Sequence, residues 1–233
     1  MRVTLKLATS LDGRIATASG ESKWITGEAA REQGHKLRAM HSAVLVGVET
    51  AIADNPELTV RLPGYVGAQP VRVVLDSKQR LPTHLKLVTG APRLDTVVIA
   101  TSESADRLAK TGVRVLKVPA SDGRPDPEMS LEALKRYLAI RLTQAVGGPA
   151  VTPAAGGKVF GVMIEGGGQV AASFLSAGLV DAIEWFRAPI ILGDEGRPAV
   201  GDFVLEKLKD APRFKRVEVI SLGDDLWERY EKI

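Results

Sequence analysis

Segments with the pattern of buried strands alternate along the chain with segments of helical character. The strand-like segments cover residues 3–8, 43–47, 71–75, 96–100, 113–118 and 159–164. Helical periodicity or helix-ending signals mark residues 27–40, 103–110, 131–142 and 168–177. Continuous apolar runs, as in 43–47, are typical of strands that are buried on both faces. The alternation predicts an α/β fold with a mostly parallel central sheet flanked by helices.

The end of the chain has a different pattern. Residues 215–221 and 226–233 alternate between polar and apolar side chains, with a Gly-Asp-Asp turn between them. This pattern predicts a C-terminal antiparallel hairpin. Residues 147–158 are rich in Gly, Pro and Ala. They are too few to separate domains, so we expect a surface insertion there and a single domain over residues 1–233.

Composition and charge exclude several functional classes. The 233 residues include 31 Lys and Arg against 28 Asp and Glu, a formal net charge of +3. A positive charge this small, with no basic run, disfavours nucleic-acid binding. The chain has no Cys, which excludes disulfides and thiolate metal sites. Its three His lack metal-ligand spacing, so we predict no metal site.

The sequence predicts neither a membrane span nor a secretory leader. No segment approaches the ~18 consecutive apolar residues that a span requires. The first eight residues alternate between polar and apolar side chains instead of forming an apolar run, unlike a signal peptide. We therefore expect a cytoplasmic protein whose first strand begins near residue 1.

The most informative short motif is Glu165-Gly166-Gly167-Gly168, between a predicted strand and a predicted helix. Consecutive glycines let a phosphate approach the backbone closely, and a helix N-terminus offers free N–H groups. A tight strand-to-helix turn without a ligand explains the glycines equally well. Glu165 stands at the carboxyl end of a parallel strand, where open α/β sheets bind ligands, although a helix-capping carboxylate is an equal alternative.

Four polar residues at the ends of predicted elements form a second candidate group: Lys6, Ser22, Arg38 and Arg61. Arginine supplies paired donors for a phosphate and serine adds a hydroxyl. A lysine is unusual on a central strand unless its ammonium faces a cleft. For each residue taken singly, a solvated surface charge is the simpler explanation. The residues alone thus indicate an α/β domain that binds a phosphorylated ligand, with a dinucleotide as one option.

A set of short motifs runs in order along nearly the whole chain. The set begins with Lys6-Leu7-Ala8-Thr9-Ser10-Leu11-Asp12-Gly13-Arg14-Ile15-Ala16 and Gly20-Glu21-Ser22-Lys23-Trp24-Ile25-Thr26. It continues with Leu37-Arg38-Ala39, Val46-Gly47 with Thr50, Ala53-Asp54-Asn55-Pro56, Leu58-Thr59-Val60-Arg61 and residues 69–77. It ends with Glu165-Gly166-Gly167, Gly178-Leu179-Val180-Asp181, Ala188-Pro189 and Leu192-Gly193. In this order the motifs closely resemble the riboflavin-biosynthesis pyrimidine reductase family, the reductase domain of the bifunctional deaminase–reductase.

The resemblance implies a dihydrofolate-reductase-like fold and the use of NADPH. It also implies reduction of the ribose of 5-amino-6-(5-phosphoribosylamino)uracil to the ribityl chain. Ser22, Arg38 and Arg61 match positions that bind the 5′-phosphate, with the Leu58 backbone nearby. Lys6 and Glu165 match positions at the ribose and pyrimidine. We hypothesise that these two are catalytic, Lys6 as a proton donor and Glu165 by orienting the ribose hydroxyls.

The resemblance also implies a cofactor site. The residues that would line it are Ala8, Trp24, Thr50, Asp54, Ser77, Gly167, Gly168, Gln169, Val170, Ala171, Ala172 and Ser173. Two features depart from the family pattern. Ser42 replaces a usual acidic residue, away from the implied ligand positions, and residues 147–158 are longer than the family norm.

Two other functions stay open. Archaeal and fungal relatives reduce the 2,5-diamino-pyrimidinone phosphate before its deamination, and a non-catalytic nucleotide-binding relative would keep the same fold. A Rossmann dehydrogenase is disfavoured because residues 7–13 lack the glycine fingerprint near the first strand.

The resemblance further implies partners. It implies a homodimer, to which Trp185 and Phe186 could contribute an apolar surface patch. The deaminase of the pathway requires a His/Cys/Cys zinc site. Because this chain lacks Cys, we expect a stand-alone reductase and a separate deaminase upstream.

Overall fold

Helices and strands alternate along the chain. The computed structural model describes residues 1–103, 105–146 and 159–233. The strands are β1 (Arg2–Thr9), β2 (Arg14–Ala16), β3 (His41–Gly47), β4 (Val71–Leu75), β5 (Thr96–Thr101), β6 (Arg114–Val118), β7 (Ala120–Ser121), β8 (Arg124–Pro125), β9 (Val159–Ile164), β10 (Ala182–Arg187), β11 (Arg197–Pro198), β12 (Phe214–Leu222) and β13 (Asp225–Lys232). The helices are α1 (Glu28–Met40), α2 (Val48–Asp54), α3 (Lys86–Thr89), α4 (Pro127–Val146) and α5 (Gly168–Ser176), with a 3-10 helix at Leu208–Asp210. Within these described ranges, no helix has both the length and the apolar character needed to cross a bilayer.

The chain divides into two compact units. The first unit comprises Met1–Arg2 and Arg38–Val162, and the second comprises Val3–Leu37 and Met163–Ile233. Strand β9 contributes residues to both. The prediction that residues 1–233 form a single domain stays a prediction.

The first unit is built on parallel strands in the order β3-β4-β5-β6. Leu45 of β3 lies opposite Val73 of β4, which lies opposite Val97 of β5. All three side chains are 0% exposed. The continuous apolar runs of the sequence therefore do form strands that are buried on both faces.

A charged side chain of β4 lies in the apolar interior of the first unit. Arg72 of β4 is buried, and its guanidinium donates to the carbonyls of Lys86 at 3.5 Å, Leu87 at 3.3 Å and Leu94 at 2.9 Å. It also donates to the Thr96 hydroxyl. Burial lowers the pKa of Arg72. Because several carbonyls accept from one planar group, Arg72 ties helix α3 and the entry to β5 to strand β4.

The second unit combines parallel and antiparallel pairs in the order β12-β13-β10-β1. β1 and β10 are parallel, whereas β13 is antiparallel to both β10 and β12. The turn between β12 and β13 contains Gly223, whose φ of +68° favours glycine. A two-stranded sheet of β2 and β11 lies in the same unit. The predicted α/β fold, with a mostly parallel sheet and a C-terminal antiparallel hairpin, is confirmed.

Trp185 and Phe186, the predicted apolar surface patch, differ in burial on β10. The predicted surface patch is wrong for Phe186, which is 1% exposed. The reason is that β13 places Trp227 beside it, and the two rings stack with centroids 5.9 Å apart. Trp185 is partly exposed and donates its Nε1–H to the Thr9 hydroxyl at 2.8 Å.

The predicted insertion at residues 147–158 lies outside the described residues.

The predicted helix over residues 103–110 is also wrong, since the described residues of this stretch form turns. Leu108 is the one buried side chain among them. Its N–H donates to Gln79 Oε1 at 3.3 Å, and Asp106 pairs with Lys117 at 2.9 Å. A segment with one apolar anchor has no apolar face to pack, and a short helix depends on such packing for its stability.

The glycine loop between β9 and α5 requires glycine for a steric reason. Gly167 has a φ of +87° and precedes the first helical residue. A Cβ on Gly168 would lie 2.6 Å from the carbonyl oxygen of Pro198, and the Gly201 N–H donates to the Gly168 carbonyl at 2.8 Å. The close approach of residues 198–201 therefore leaves no space for a side chain at Gly168.

We expect Gly168→Ala to lower the free energy of unfolding by about 1–3 kcal/mol, because backbone must move to admit the methyl group. Gly34→Ala in α1 is the matched control: its Cβ would lie at an ordinary 4.0 Å from Lys6 Cε. It should raise the free energy of unfolding by about 0.5–1 kcal/mol, since alanine favours a helix interior. Urea unfolding followed by circular dichroism measures both. Wild-type stability in Gly168→Ala would contradict the steric argument.

Candidate active site

Lys6 is a charged residue on a strand whose neighbours are buried. Leu5 and Leu7 are 1% and 6% exposed, whereas Lys6 and Ala8 are partly exposed. Because side chains alternate along a strand, Lys6 and Ala8 lie on the same face of the sheet. The Lys6 ammonium lies 5.4 Å from the centroid of the Phe186 ring. The predicted catalytic lysine and the first predicted cofactor residue thus share one face of β1.

Glu165 and the glycine loop lie at the carboxyl end of β9, and all four loop residues are partly exposed. Helix α5 begins there, with Gln169 Nε2 donating to Asp202 at 2.8 Å. Among the predicted cofactor residues of this helix, Ala171 and Ala172 are each 2% exposed, while Val170 and Ser173 are partly exposed. The accessible part of this stretch is therefore its glycine backbone and its first polar side chains.

Ser22 and Trp24 lie in the loop between β2 and α1. A turn closed by the Thr17 N–H and the Glu21 carbonyl, 2.9 Å apart, precedes them. Ser22 is partly exposed, and the Trp24 side chain is 69% exposed. The Arg31 guanidinium lies 4.6 Å from the centroid of the Trp24 ring. An indole this exposed, stacked on one cation, is available to a planar ligand.

Asp12 anchors the turn after β1, a role that sequence reasoning missed. Its carboxylate accepts from the Ser10 hydroxyl at 2.5 Å, from Leu192 N–H at 3.2 Å and from Gly193 N–H at 2.8 Å. The hydrogen bond from Ser10 is the main reason that the pKa of Asp12 falls to about 2, helped by the two backbone donors. The Asp-Gly turn signal indicated the turn but not the distant loop that Asp12 holds.

In the first unit, Arg38 contacts the loop that holds two other predicted substrate residues. Arg38 Nη1 donates to the Thr59 carbonyl at 3.0 Å, between Leu58 and Arg61. Leu58 has a left-handed φ of +53° and a side chain that is 2% exposed. Such a φ is an outlier for a bulky residue. Because its side chain is buried, Leu58 can offer a ligand only its backbone, as the resemblance implies.

The same loop is held by residues that sequence reasoning missed. Lys86 Nζ lies 3.5 Å from Glu57 Oε1, and the Lys86 backbone N–H donates to Asn55 Oδ1 at 2.8 Å. Glu57 also lies 3.9 Å from Arg61, whose side chain is 53% exposed. Lys86 is distant in sequence from this loop, so no local pattern could identify it. Arg61 and Lys86 give the loop two cations suited to an anion.

Thr50, Asp54 and Ser77 follow the carboxyl ends of two parallel strands of the first unit. Thr50 and Asp54 belong to α2, directly after β3, and Ser77 follows β4 by one residue. Asp76 is 0% exposed and accepts from the Leu81 N–H at 2.8 Å. Asp76 is therefore buried, whereas Ser77 after it is partly exposed, at the end of the sheet where open α/β sheets bind ligands.

Each unit therefore contains part of the predicted set of site residues. The second unit holds Lys6, Ala8, Ser22, Trp24 and residues 165–173, and the first unit holds Arg38, Thr50, Asp54, Leu58, Arg61 and Ser77. That Ser22 binds the same phosphate as Arg38 and Arg61 stays a prediction.

The chain is similar to known proteins along its whole length. It is 34% identical to the riboflavin biosynthesis protein RibD of Bacillus amyloliquefaciens, over 96% of this chain and 55% of that protein. It is 36% identical to a protein of Methanothermobacter thermautotrophicus, named 2,5-diamino-6-ribosylamino-4(3H)-pyrimidinone 5′-phosphate reductase, over 98% of this chain and 96% of that one. The chain spans about half the length of the RibD relatives that it matches.

Solved structures of similar proteins have the same fold as this chain. RibD of Acinetobacter baumannii superposes with a TM-score of 0.78 and 32% identity, over 100% of this chain and 58% of that one. The yeast riboflavin biosynthesis reductase Rib7, at 21% identity and a TM-score of 0.70 over 100% of this chain and 90% of that one, shares the fold. The model of the RibD C-terminal domain family matches residues 1–227, and the chain belongs to that family.

Proposed function

We propose that the protein is an NADPH-dependent reductase of riboflavin biosynthesis. It reduces the ribose of 5-amino-6-(5-phosphoribosylamino)uracil to give 5-amino-6-(5-phosphoribitylamino)uracil. The observation that supports this most directly is Lys6, a partly exposed lysine on a strand whose adjacent residues are buried on the opposite face. An accessible ammonium at this position is available to a ligand as a proton donor. The relatives named as RibD and as a pyrimidinone phosphate reductase support the same class of reaction.

The residues present fit a nicotinamide cofactor. The first N–H groups of α5 have no carbonyl partner within the helix, and three glycines leave that end without side chains. Trp24 adds an exposed aromatic surface. We propose that Ala8, Trp24, Thr50, Asp54, Ser77 and residues 167–173 hold NADPH, which supplies the hydride.

The substrate undergoes a simple change. The phosphoribosylamine opens to an imine at ribose C1, C1 accepts a hydride, and the imine nitrogen takes up a proton. Lys6 donates that proton, and Glu165 accepts hydrogen bonds from the ribose hydroxyls and orients C1. Ser22, Arg38 and Arg61 bind the 5′-phosphate, so that binding energy far from C1 aligns the reacting atoms.

The diamino-pyrimidinone phosphate is the second candidate substrate, because the relative of M. thermautotrophicus is named for it. It differs from the uracil in one exocyclic group. We expect loss of NADPH absorbance with the phosphoribosylamino-uracil and at least tenfold lower kcat/KM with the diamino compound or with NADH. A reversed substrate preference would assign the reaction to the step before deamination. No oxidation with either would favour a non-catalytic relative.

Binding of the phosphate generates a prediction for two arginines. Arg38→Ala and Arg61→Ala should each weaken substrate binding by roughly 1.5–3 kcal/mol, the scale of a charge-assisted hydrogen bond, and leave NADPH affinity unchanged. Arg136→Ala is the control, since Arg136 is an exposed helical arginine paired with Glu132. Isothermal titration with substrate and NADPH separately measures both affinities. Loss of NADPH binding alone would reassign the residue to the cofactor.

Lys6→Met and Glu165→Gln test the catalytic residues. We expect folded, NADPH-binding proteins whose turnover falls by about two orders of magnitude or more, the scale of a lost acid–base group. Lys36→Met is the control for Lys6, because Lys36 is half-exposed on α1 and paired with Glu32. If the two charges served only the fold, the melting temperature would fall and turnover would follow in proportion. Wild-type turnover in either variant would remove that residue from catalysis.

Two further proposals rest on the family resemblance alone. We propose that the protein is a homodimer and that it acts in the cytoplasm.

A further inference from the structure

Two stacked aromatic rings lie beside the ammonium of Lys6. The rings of Phe186 and Trp227 are parallel within 1°, with centroids 5.9 Å apart. They are 1% and 8% exposed. The Lys6 ammonium lies 5.4 Å from the Phe186 centroid, and the Arg229 guanidinium lies 5.3 Å from the Trp227 centroid. Phe186 and Trp227, the aromatic pair, thus contact a cation at each end.

A buried carboxylate fixes this pair. Glu184 is 6% exposed, and its Oε2 accepts from the Trp227 indole N–H at 2.7 Å. Its carboxylate also lies 3.4 Å from Arg229 Nε, while Arg229 Nη1 donates to Glu218 at 2.8 Å. Trp227 is therefore held in orientation by a hydrogen bond, and the positive charge of Arg229 is met by two carboxylates.

The register of three strands explains why these groups meet. Lys6 lies opposite Glu184 and Ala8 opposite Phe186 on β1 and β10. Phe186 lies opposite Trp227 and Glu184 opposite Arg229 on β10 and β13. Since side chains alternate along strands, all of these residues are on one face of the sheet. The C-terminal hairpin thus extends the surface on which Lys6 lies.

We propose that Glu184, Phe186 and Trp227 are positioning residues for Lys6, an inference that rests on the catalytic role of Lys6 under the proposed function. The face of the Phe186 ring attracts the ammonium, Trp227 holds that ring in place, and the Glu184 carboxylate adds a negative charge at the register partner of Lys6. Together they keep Lys6 protonated and its ammonium at one position, as a proton donor requires.

Other titratable and charged groups lie on the elements around Lys6. Arg229 lies on β13, Glu165 follows β9, and Arg31 and His35 lie near Gly34 on α1. A Cβ on Gly34 of α1 would lie 4.0 Å from Lys6 Cε, so this part of the helix passes beside Lys6. The variants below leave these four residues unchanged. A change in the pKa of Lys6 is therefore attributed to Glu184 or to the aromatic pair.

The first test measures the pKa of Lys6 without any turnover. Acetic anhydride labels neutral amines, and mass spectrometry gives the labelling rate of Lys6 as a function of pH. We expect the pKa of Lys6 to fall by about half a unit or more in Glu184→Gln and in Phe186→Leu, from loss of a nearby charge or of the cation–π contact. Glu184→Asp should restore most of the wild-type value.

Glu228→Gln is the matched control. Glu228 is also 6% exposed, in the same unit, but alternation along β13 places it on the opposite face, where Arg187 binds it at 2.8 Å. Its loss should leave the pKa of Lys6 unchanged. Equal pKa values of Lys6 in wild type, Glu184→Gln and Phe186→Leu would overturn the proposal, as would an equal fall in Glu228→Gln.

The second test separates positioning from folding. In Glu184→Gln we expect kcat to fall about tenfold with KM unchanged, and the alkaline limb of the kcat–pH profile to move with the labelling pKa. Trp227→Phe removes the indole N–H but keeps a ring, and should show a smaller change in the same direction. A purely structural role would lower the melting temperature and leave the pH profile in place, which would contradict the proposal. If Glu184→Gln fails to fold, Phe186→Leu and Trp227→Phe decide.

The two proposals can fail separately. Full turnover in Lys6→Met would remove the catalytic role of Lys6 and leave the labelling experiment to decide whether Glu184 and the aromatic pair hold the ammonium. Conversely, loss of turnover in Lys6→Met with an unchanged labelling pKa in Glu184→Gln and Phe186→Leu would keep the proposed function and reject the positioning residues.

Discussion

Strands that are buried on both faces limit where a charged side chain can lie in this protein. A charge within such a strand has to meet enough hydrogen bonds or opposite charge to replace water. Arg72 meets this requirement through backbone carbonyls and a hydroxyl, and Glu184 through an indole N–H and a guanidinium. Asp76 meets it in part, through the Leu81 N–H. Each buried charge therefore also ties its strand to a neighbouring segment.

The same constraint moves the candidate chemistry to the strand ends. Ser77 follows β4, Glu165 follows β9, and α2 with Thr50 follows β3. At these points the chain leaves the apolar interior, and polar side chains can stay in contact with water and reach a ligand. Lys6 differs because it lies within a strand. Its ammonium lies beside the ring of Phe186, and the proposals for catalysis and positioning both begin from that position.

Prediction from the sequence succeeded where the signal was local. Apolar runs located β4 and β9 at their observed bounds, and the alternating end of the chain located the hairpin of β12 and β13. It was wrong for residues 103–110, where helix-forming residues lacked a second apolar anchor beside Leu108. The candidate site residues came mainly from family resemblance, because charge type and spacing alone left a solvated surface charge as the simpler explanation for each of the four polar candidates.

The hydrophobic pattern of the sequence was enough to predict the α/β class, the main buried strands and the C-terminal hairpin, because strand burial is written in consecutive residues. It did not predict the short helices α2 and α3. Partners brought together by register depended on the folded sheet. Trp227 is distant in sequence from Lys6, yet β13 brings it into the surroundings of that residue. Lys86 is distant in sequence from Asn55, yet α3 brings it to the loop that leads to Leu58 and Arg61. Such contacts depend on which elements become neighbours, and for Trp227 also on strand register, since a shift of one residue in β13 would turn its side chain to the opposite face. Only the tertiary structure could therefore decide them.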